Sequence, residues 1–410
     1  MRVKVPQLIF DGNTELELDF PSGWEVTFCA PPAYDRPEMS PGQMQQAFDR
    51  PVGSPRLREM AAGKREAVII FDDITRPTPV GQIAPYVLGE LDAAGMADEQ
   101  IRFVVASGTH GAHDNHALRK KLGQEIVERY AVYNHNPYEN CVEVGTTGLG
   151  TVLSINREVM ACDLRIAIGG VLPHPQAGFG GGGKILLPGV SHIDSIDQFH
   201  RTIFGSPPNV VGMGNWDENP MRRETEDAVR LVGLDFLVNV LMNGHGAVMD
   251  LVAGAPLPAH HEGVRRAKEA YATVPATNVD IAVTNAYAKA GEAAIAIIAA
   301  VRSLKPQGGT IVMIMNCPEG QVVHYLLRQF GKEYGGRQYT PRGMLPPQFK
   351  LIILNPLPDL TCTDLFVDRR SVIWAKTWDE VMSRLRELHP DGAKVAVYPD
   401  GTAQYLRAPD

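Results

Sequence analysis

Short apolar runs recur along the chain, separated by segments with helical spacing. The first 20 residues alternate, with Val3 and Val5 followed by Leu16, Leu18 and Phe20 around the turn signal Asp11-Gly12-Asn13. That pattern predicts a β-hairpin. A charged stretch with helix-like spacing follows around Met44 to Met60. Three uniformly apolar runs come next. Ala67 to Phe71 (AVIIF) ends at Asp72-Asp73, Ile101 to Ala106 (IRFVVA) runs into Ser107-Gly108-Thr109-His110, and Leu164 to Ile168 (LRIAI) runs into Gly169-Gly170. Runs this short suit strands of a parallel sheet covered on both faces. A helix from Val80 to Ala94, ending at Gly95, separates the first two. Strand, helix, strand repetition predicts an α/β fold, in which ligands bind at the carboxyl ends of the strands. All three runs end in polar or glycine-rich loops, which is where chemistry is expected.

A helix from His260 to Ala272 leads into Thr273-Val274-Pro275-Ala276, read as a linker. A second α/β series then begins, with strands Asp280 to Val283, Gly309 to Met315, Leu351 to Leu354 and Lys394 to Tyr398, and a helix Glu292 to Ser303. The expected organisation is two α/β domains with mostly parallel sheets. The N-terminal domain spans residues 1–272 and the C-terminal domain 273–410, whose last residues are free to pack back on the first. No short internal repeat is present.

Composition narrows the classes. The chain has 410 residues and a net charge of −8, from 39 Lys+Arg against 47 Asp+Glu. Nucleic-acid binding needs concentrated Lys and Arg, and no basic run stands out. The longest uncharged apolar run, Ala293 to Val301, is about half a membrane span. The opening MRVKVPQLIFDGNTELELDF has no apolar signal-peptide core. Cys29, Cys141, Cys162, Cys317 and Cys362 are scattered, odd in number and never in a CxxC pair. They fit reduced thiols in a cytoplasmic enzyme. Gly and Pro make roughly 17% of the chain, above the usual ~12%.

The densest segment is PHPQAGFGGGGKILLPGV, residues Pro173 to Val190. Gly178 to Lys184 matches the GxxxxGK core of a phosphate-binding loop, whose backbone N–H groups surround phosphate oxygens. The next position, Ser or Thr in such loops, is Ile185. A nucleotide hydrolase or kinase using this loop and Asp72 stands as the alternative reading. Of the 12 His, seven lie between His110 and His200. His110, His113 and His116 form HGAHDNH, and spacing of three on a helix would put them on one side. Without HExxH or a Cys partner this is weak support for zinc. His110 is expected to project into the crevice at the strand ends, while His113 and His116 read as a solvated helix start. His174 is locked between Pro173 and Pro175, which suits a positioned acid or base. His200 falls in a helix after Asp194. In Asp72-Asp73-Ile74-Thr75-Arg76-Pro77-Thr78-Pro79, helix capping by Thr78 explains part of the pattern. It does not explain Arg76, whose guanidinium suits bidentate binding of carboxylate or phosphate.

Three motifs taken together resemble the nickel-pincer-nucleotide lactate racemase family. They are Asp73-x-Thr75-Arg76-Pro77-Thr78, Ser107-Gly108-Thr109-His110, and Pro173-His174-x-x-Ala177-Gly178-Phe179-x-Gly181-Gly182-x-Lys184-x-x-x-Pro188-Gly189. The match runs in order through residues 68–205, with a looser likeness along the whole chain. The resemblance implies a 2-hydroxy-acid racemase or epimerase with its active site in the cleft between two α/β domains. The implied cofactor is a pyridinium-3-thioamide-5-thiocarboxylate mononucleotide, covalent on Lys184, whose sulfur arms clamp nickel. His200 matches the residue that completes nickel coordination, and His110 and His174 match the alternating acid and base. Asp73, Thr75 and Arg76 match cofactor- and substrate-binding positions, and Gly181, Gly182 and Gly183 are expected to let the backbone approach the nucleotide. The implied partners are a small 2-hydroxy acid and the cofactor-synthesis enzymes; a homo-oligomer is compatible with the pattern.

The chain departs from the family pattern at Gly180 and Gly183, where serine or another small residue is usual. A second departure follows the strand near residue 283. The substrate-facing Tyr-Gln pair of the family is replaced by Ala294-Ile295, with Tyr287 matching an upstream tyrosine. A more apolar wall suits a short aliphatic 2-hydroxy acid, lactate or a close analogue. Lys289 or Glu292 can supply replacement polar contacts; a solvated helix start is the equal alternative for both.

Overall fold

In the computed structural model, which describes residues 1–207, 209–326, 337–338, 345–361 and 371–407, the apolar runs become the inner strands of two sheets. The chain divides into a unit of Arg36–Glu269 and a unit made of Met1–Asp35 together with Ala270–Asp410.

The Arg36–Glu269 unit is built on six strands in the order Val248–Gly254, Phe236–Met242, Leu164–Gly170, Ala67–Asp72, Ile101–Ala106, Ala131–Asn134. All neighbouring pairs are parallel except the first, which is an antiparallel edge. All six residues of Ala67–Asp72 are buried, as an all-apolar strand covered on both faces requires. The helix Val80–Ala93 lays Val80, Ile83, Ala84, Val87 and Leu91 on the core. It approaches the Asn115–Leu122 helix so closely that a Cβ on Gly81 would sit 2.7 Å from the Leu122 carbonyl. From Ala67–Asp72 the chain adds strands on one side and then returns to place Leu164–Gly170 on the other. The switch point therefore lies between these two strands, and their carboxyl ends frame the crevice where α/β sheets hold ligands.

The other unit has six strands, all parallel, in the order Val372–Ala375, Phe349–Leu354, Gly309–Ile314, Ile281–Asn285, Lys394–Tyr398, Glu25–Phe28. Its switch point lies between Ile281–Asn285 and Lys394–Tyr398. Apolar clusters cover both faces, one around Ala282, Ile311 and Ile353, the other around Val283, Val312 and Leu385.

Several expectations change. Residues 1–35 do not belong with residues 36–272, because Glu25–Phe28 pairs in parallel with Lys394–Tyr398. The linker is partly a strand: Ala272–Thr273 pairs with Tyr405–Leu406. The chain end up to Leu406 thus packs in its own unit, and residues 408–410 lie outside the described residues. The Met44 to Met60 stretch is two helices, Pro41–Asp49 and Leu57–Ala61, interrupted by Pro51, Gly53 and Pro55. The expected Glu292 to Ser303 helix is a 3₁₀ turn, Ala290–Ala296, kinked at Glu292, followed by the α-helix Ile297–Ser303. Among the described residues no helix is long and apolar enough to cross a membrane. Cys29, Cys141, Cys162 and Cys317 are free; Cys362 lies outside the described residues.

Candidate functional site

The two adjacent aspartates at the end of Ala67–Asp72 do different work. Asp72 turns inward. Its Oδ2 accepts from Thr78 Oγ at 2.5 Å and from Gly170 N–H at 3.0 Å, and Lys121 Nζ lies 2.8 Å from Oδ1. Lys121 is buried and also donates to the Arg76 carbonyl at 2.7 Å. Burial pulls its pKa down, against the pull of Asp72. Asp72 is thus a strut that ties both strands at the switch point to the next helix. This corrects two expectations. Thr78 does not cap the Val80–Ala93 helix through its side chain, since the hydroxyl bonds Asp72, and Asp72 is not available to a phosphate-transfer site.

Asp73 faces the other way and gathers the motif residues. Its Oδ2 lies 2.6 Å from His110 Nδ1. Its Oδ1 accepts from the Thr75 hydroxyl at 2.5 Å and the Thr75 N–H at 3.0 Å. Arg76 Nη1 donates to the same hydroxyl at 2.8 Å. Burial works against the Asp73 charge, but the imidazoles of His110 and then His113 outweigh it and hold the carboxyl well below its usual range. An ionised carboxylate on Nδ1 keeps the proton there and presents Nε2 for exchange, the arrangement a general base needs. His113 also turns toward Asp73, with Nε2 3.6 Å from Oδ2. Of the three histidines, only His116 lies on the Asn115–Leu122 helix, and it alone of them is exposed. His113 is therefore not a solvated helix residue, and the three histidines do not share one helix side. Among the described residues no group of three His, Cys, Asp or Glu side chains forms a metal site.

The glycine-rich loop is packed differently from a phosphate cradle. A Cβ on Gly182 would lie 2.1 Å from His260 Nδ1, on Gly183 2.2 Å from the Thr225 carbonyl, and on Gly181 3.0 Å from Asn239 Oδ1. The missing side chains make room for this unit's own helices and strand. The N–H groups of Gly180, Gly182 and Lys184 are given to Leu172 O, Asn239 Oδ1 and Gly181 O. Those three bonds weigh against the phosphate-binding-loop reading, and internal packing by itself calls for glycine at 181, 182 and 183. His260 holds the loop from behind. Its Nε2 is 3.0 Å from the Gly180 carbonyl, and burial pushes its pKa down to about 4.

Past the loop, Lys184 and His200 come together. Lys184 Nζ lies over the Phe199 ring, 5.7 Å from its centroid. His200, on the helix Ile193–Arg201, is buried, and its Nδ1 donates to Ile196 O at 2.7 Å. Burial, with a smaller push from the Lys184 charge, lowers its pKa to about 4. A neutral imidazole with Nδ1–H bonded to a backbone carbonyl is the tautomer in which Nε2 ligates metal. His174 sits in a small hairpin, Pro173–His174 against Gly178–Phe179, and its Nδ1 accepts from the N–H groups of Gln176 and Ala177 at 3.2 and 3.1 Å. This leaves the neutral ring's proton on Nε2, the mirror role to that of His110.

Tyr287 and Lys289 belong to the other unit, where internal bonds engage both. Tyr287 donates to Asn13 Oδ1 at 2.5 Å, and Lys289 Nζ donates to Thr402 O at 3.0 Å. Asp400, raised in pKa by burial, accepts from Ala288 N–H at 2.9 Å and from Thr402 Oγ at 2.6 Å. Sequence reading missed Lys121 and His260. The signal was faint: a lysine in the last turn of a polar helix, and one of two adjacent histidines opening another.

A family model described as the lactate racemase N-terminal domain matches residues 12–212. The lactate racemase of Lactiplantibacillus plantarum is 29% identical over 385 residues, 87% of this chain and 89% of that protein. That of Thermoanaerobacterium thermosaccharolyticum is 28% identical over 395 residues, 89% of this chain and 90% of that protein. The structure of the T. thermosaccharolyticum lactate racemase apoprotein matches with a TM-score of 0.73 at 24% identity, covering 99% of this chain and 100% of that one. A crystal structure of a Thermotoga maritima protein gives 0.67 at 17%, over 91% of this chain and 100% of that one. The motifs at the switch point, the domain match over residues 12–212 and relatives aligned along nearly the whole length agree in likening the chain to the lactate racemases, and the solved apoprotein shares its fold.

Proposed function

We propose that the protein racemises a short aliphatic 2-hydroxy acid, lactate or a close analogue, using a nickel-pincer nucleotide held on Lys184. The observation that carries this reading is the Asp73–His110 pair, 2.6 Å apart at the switch point with Arg76 in the same hydrogen-bonded chain. It sits in one unit with the second imidazole, His174, and both histidines present Nε2. The pair of lactate racemase relatives supports the same substrate class.

The residues fit the tether and the metal ligand. His200 has the ligating tautomer, and the Lys184 charge is felt at its ring. The glycine loop fits poorly as a phosphate cradle, because the amides of Gly180, Gly182 and Lys184 are already bonded within the protein. When bound, the pyridinium group supplies an acceptor for hydride, so Cα–H need not be lost as a proton. His110 takes the hydroxyl proton of one enantiomer at Nε2, with Asp73 stabilising the imidazolium. For His174 to take that of the other, its ring must give up the bonds of Nδ1 to Gln176 and Ala177 N–H, so that the proton moves to Nδ1 and Nε2 is bare. Arg76 pairs with the substrate carboxylate. Supply by separate cofactor-synthesis enzymes and a cytoplasmic setting complete the reading; the four described free thiols support a reducing compartment.

The test is expression with and without the cofactor-synthesis enzymes, followed by intact-mass and nickel analysis. A covalent adduct is expected on wild type and none on Lys184→Ala. Wild type that gains neither adduct nor nickel sinks the proposal. Deuterium at Cα should be retained in turnover; its wash-out into solvent would overturn the hydride reading.

A further inference from the structure

Asp73 carries a second imidazole. Oδ1 is taken by the Thr75 hydroxyl and N–H, while Oδ2 lies 2.6 Å from His110 Nδ1 and 3.6 Å from His113 Nε2. His113 Nε2 is enclosed and has no hydrogen-bond partner. Such nitrogens are scarce because losing water without a partner is costly. The ring is held there. Asn134, at the end of the strand Ala131–Asn134, grips the His113 main chain from both sides. Its Oδ1 accepts the His113 N–H at 2.9 Å, and its Nδ2 donates to the His113 carbonyl at 2.9 Å. The next residue, Asp114, caps the following helix through Ala117 N–H at 2.9 Å. Strand and helix together fix the backbone that aims this imidazole at Asp73.

We propose that His113 is a positioning residue of the site, sharing the Asp73 carboxylate with His110 and so setting how firmly that carboxylate holds the His110 ring. The inference rests on the proposed function only for its consequence in turnover. A donor approaching Oδ2 draws charge away from the His110 bond, and a charged His113 ring would repel a charged His110. Both effects loosen the proton on His110. The other groups facing this cluster are Asp72 and Arg76 after the first strand, and Asp114, His116 and Lys121 on the following helix. Lys121 is committed to Asp72 and the Arg76 carbonyl, and Asp114 to the helix cap, so His113 is the partner that adjusts the pair.

The experiment is a histidine-selective NMR titration of the full chain without cofactor, with the His110 signal assigned by His110→Gln. In His113→Leu the His110 midpoint should rise by about half a pH unit or more. His113→Gln, which keeps an N–H donor, should recover much of that rise. Loaded with cofactor, His113→Leu should shift the acid limb of kcat/KM upward in the same direction. If the Leu variant does not fold, His113→Asn, too short to reach Asp73, replaces it. An unchanged His110 midpoint in a folded variant overturns the inference. A shifted midpoint in a protein that never racemises a 2-hydroxy acid upholds it and sinks the proposed function instead.

Discussion

The two units share a plan, a mostly or wholly parallel six-stranded sheet with one switch point, yet they fill the crevice differently. In the Met1–Asp35 and Ala270–Asp410 unit, the strand-end polar groups are bound largely to main chain. Asn285 bonds Pro6 O and Pro399 O, and Asp400 bonds Ala288 N–H and the Thr402 turn. Gly401 presses so close that a Cβ would lie 2.2 Å from Thr284 Oγ. In the Arg36–Glu269 unit, Asp72 plays that closing part, while Asp73, Thr75, Arg76 and His110 bond one another through side chains. Polar residues at a switch point are therefore not a site in themselves. Those bound to main chain close the crevice; those bound to each other by titratable side chains leave chemistry at its mouth.

The comparison breaks first at the histidines. With cofactor bound, His110→Ala or His174→Ala should lower exchange by about 10²- to 10⁴-fold while keeping the Lys184 adduct. Normal racemisation by both single variants would end the distinction between the two crevices.

Next comes the glycine loop. Gly182 has φ +56°, and a Cβ there meets His260. Gly182→Ala should cost ~2–4 kcal/mol in denaturant unfolding, and adding His260→Ala should return part of it. Failure of the double variant to recover any stability would show that something other than His260 demands glycine.

Acid should separate the units. His135, His200 and His260 have pKa values lowered by burial from 6.5 to about 4, and all lie in Arg36–Glu269. A lowered folded pKa means the stabilisation is full above about pH 6.5 and is lost as pH falls toward 4, on the order of 2–3 kcal/mol per histidine. Asp73, also lowered, adds loss at still lower pH. Asp400, raised in the other unit, works with opposite sign: its contribution is full below the ordinary Asp value and fades as pH rises. His389 there is lowered but only half-buried. Hydrogen exchange from pH 6.5 to 4, corrected for intrinsic rates, should loosen Arg36–Glu269 peptides first. Equal loosening would refute this.

The smallest effect sharpens the role of Lys289. Lys289→Met should cost ~1–3 kcal/mol by releasing Thr402 O and leave KM for the 2-hydroxy acid unchanged. A large rise in KM at unchanged stability would instead make Lys289 a substrate ligand.

Much of this was legible in the sequence where the information is local. Ala67 to Phe71 and Ile101 to Ala106 carry their burial in their own composition, and motif order singled out Asp73, His110 and Lys184. Phe236–Met242, a fully buried FLVNVLM, was open to the same argument and was passed over. What stayed hidden depends on distant partners. Nothing in GFGGGGK says that its glycines make room for His260, Thr225 and Asn239. Which of two adjacent aspartates serves the site depends on Lys121, four dozen residues away. Glu25–Phe28, four residues with half-buried alternation, gives little sign of a strand whose neighbour lies near the chain's other end.

That last pairing orders events during synthesis. The strand Glu25–Phe28 is translated long before its partner Lys394–Tyr398, with the whole Arg36–Glu269 segment between them. The Arg36–Glu269 segment is complete well before then, so that unit can assemble co-translationally while Glu25–Phe28 waits for the partner strand that its own unit supplies.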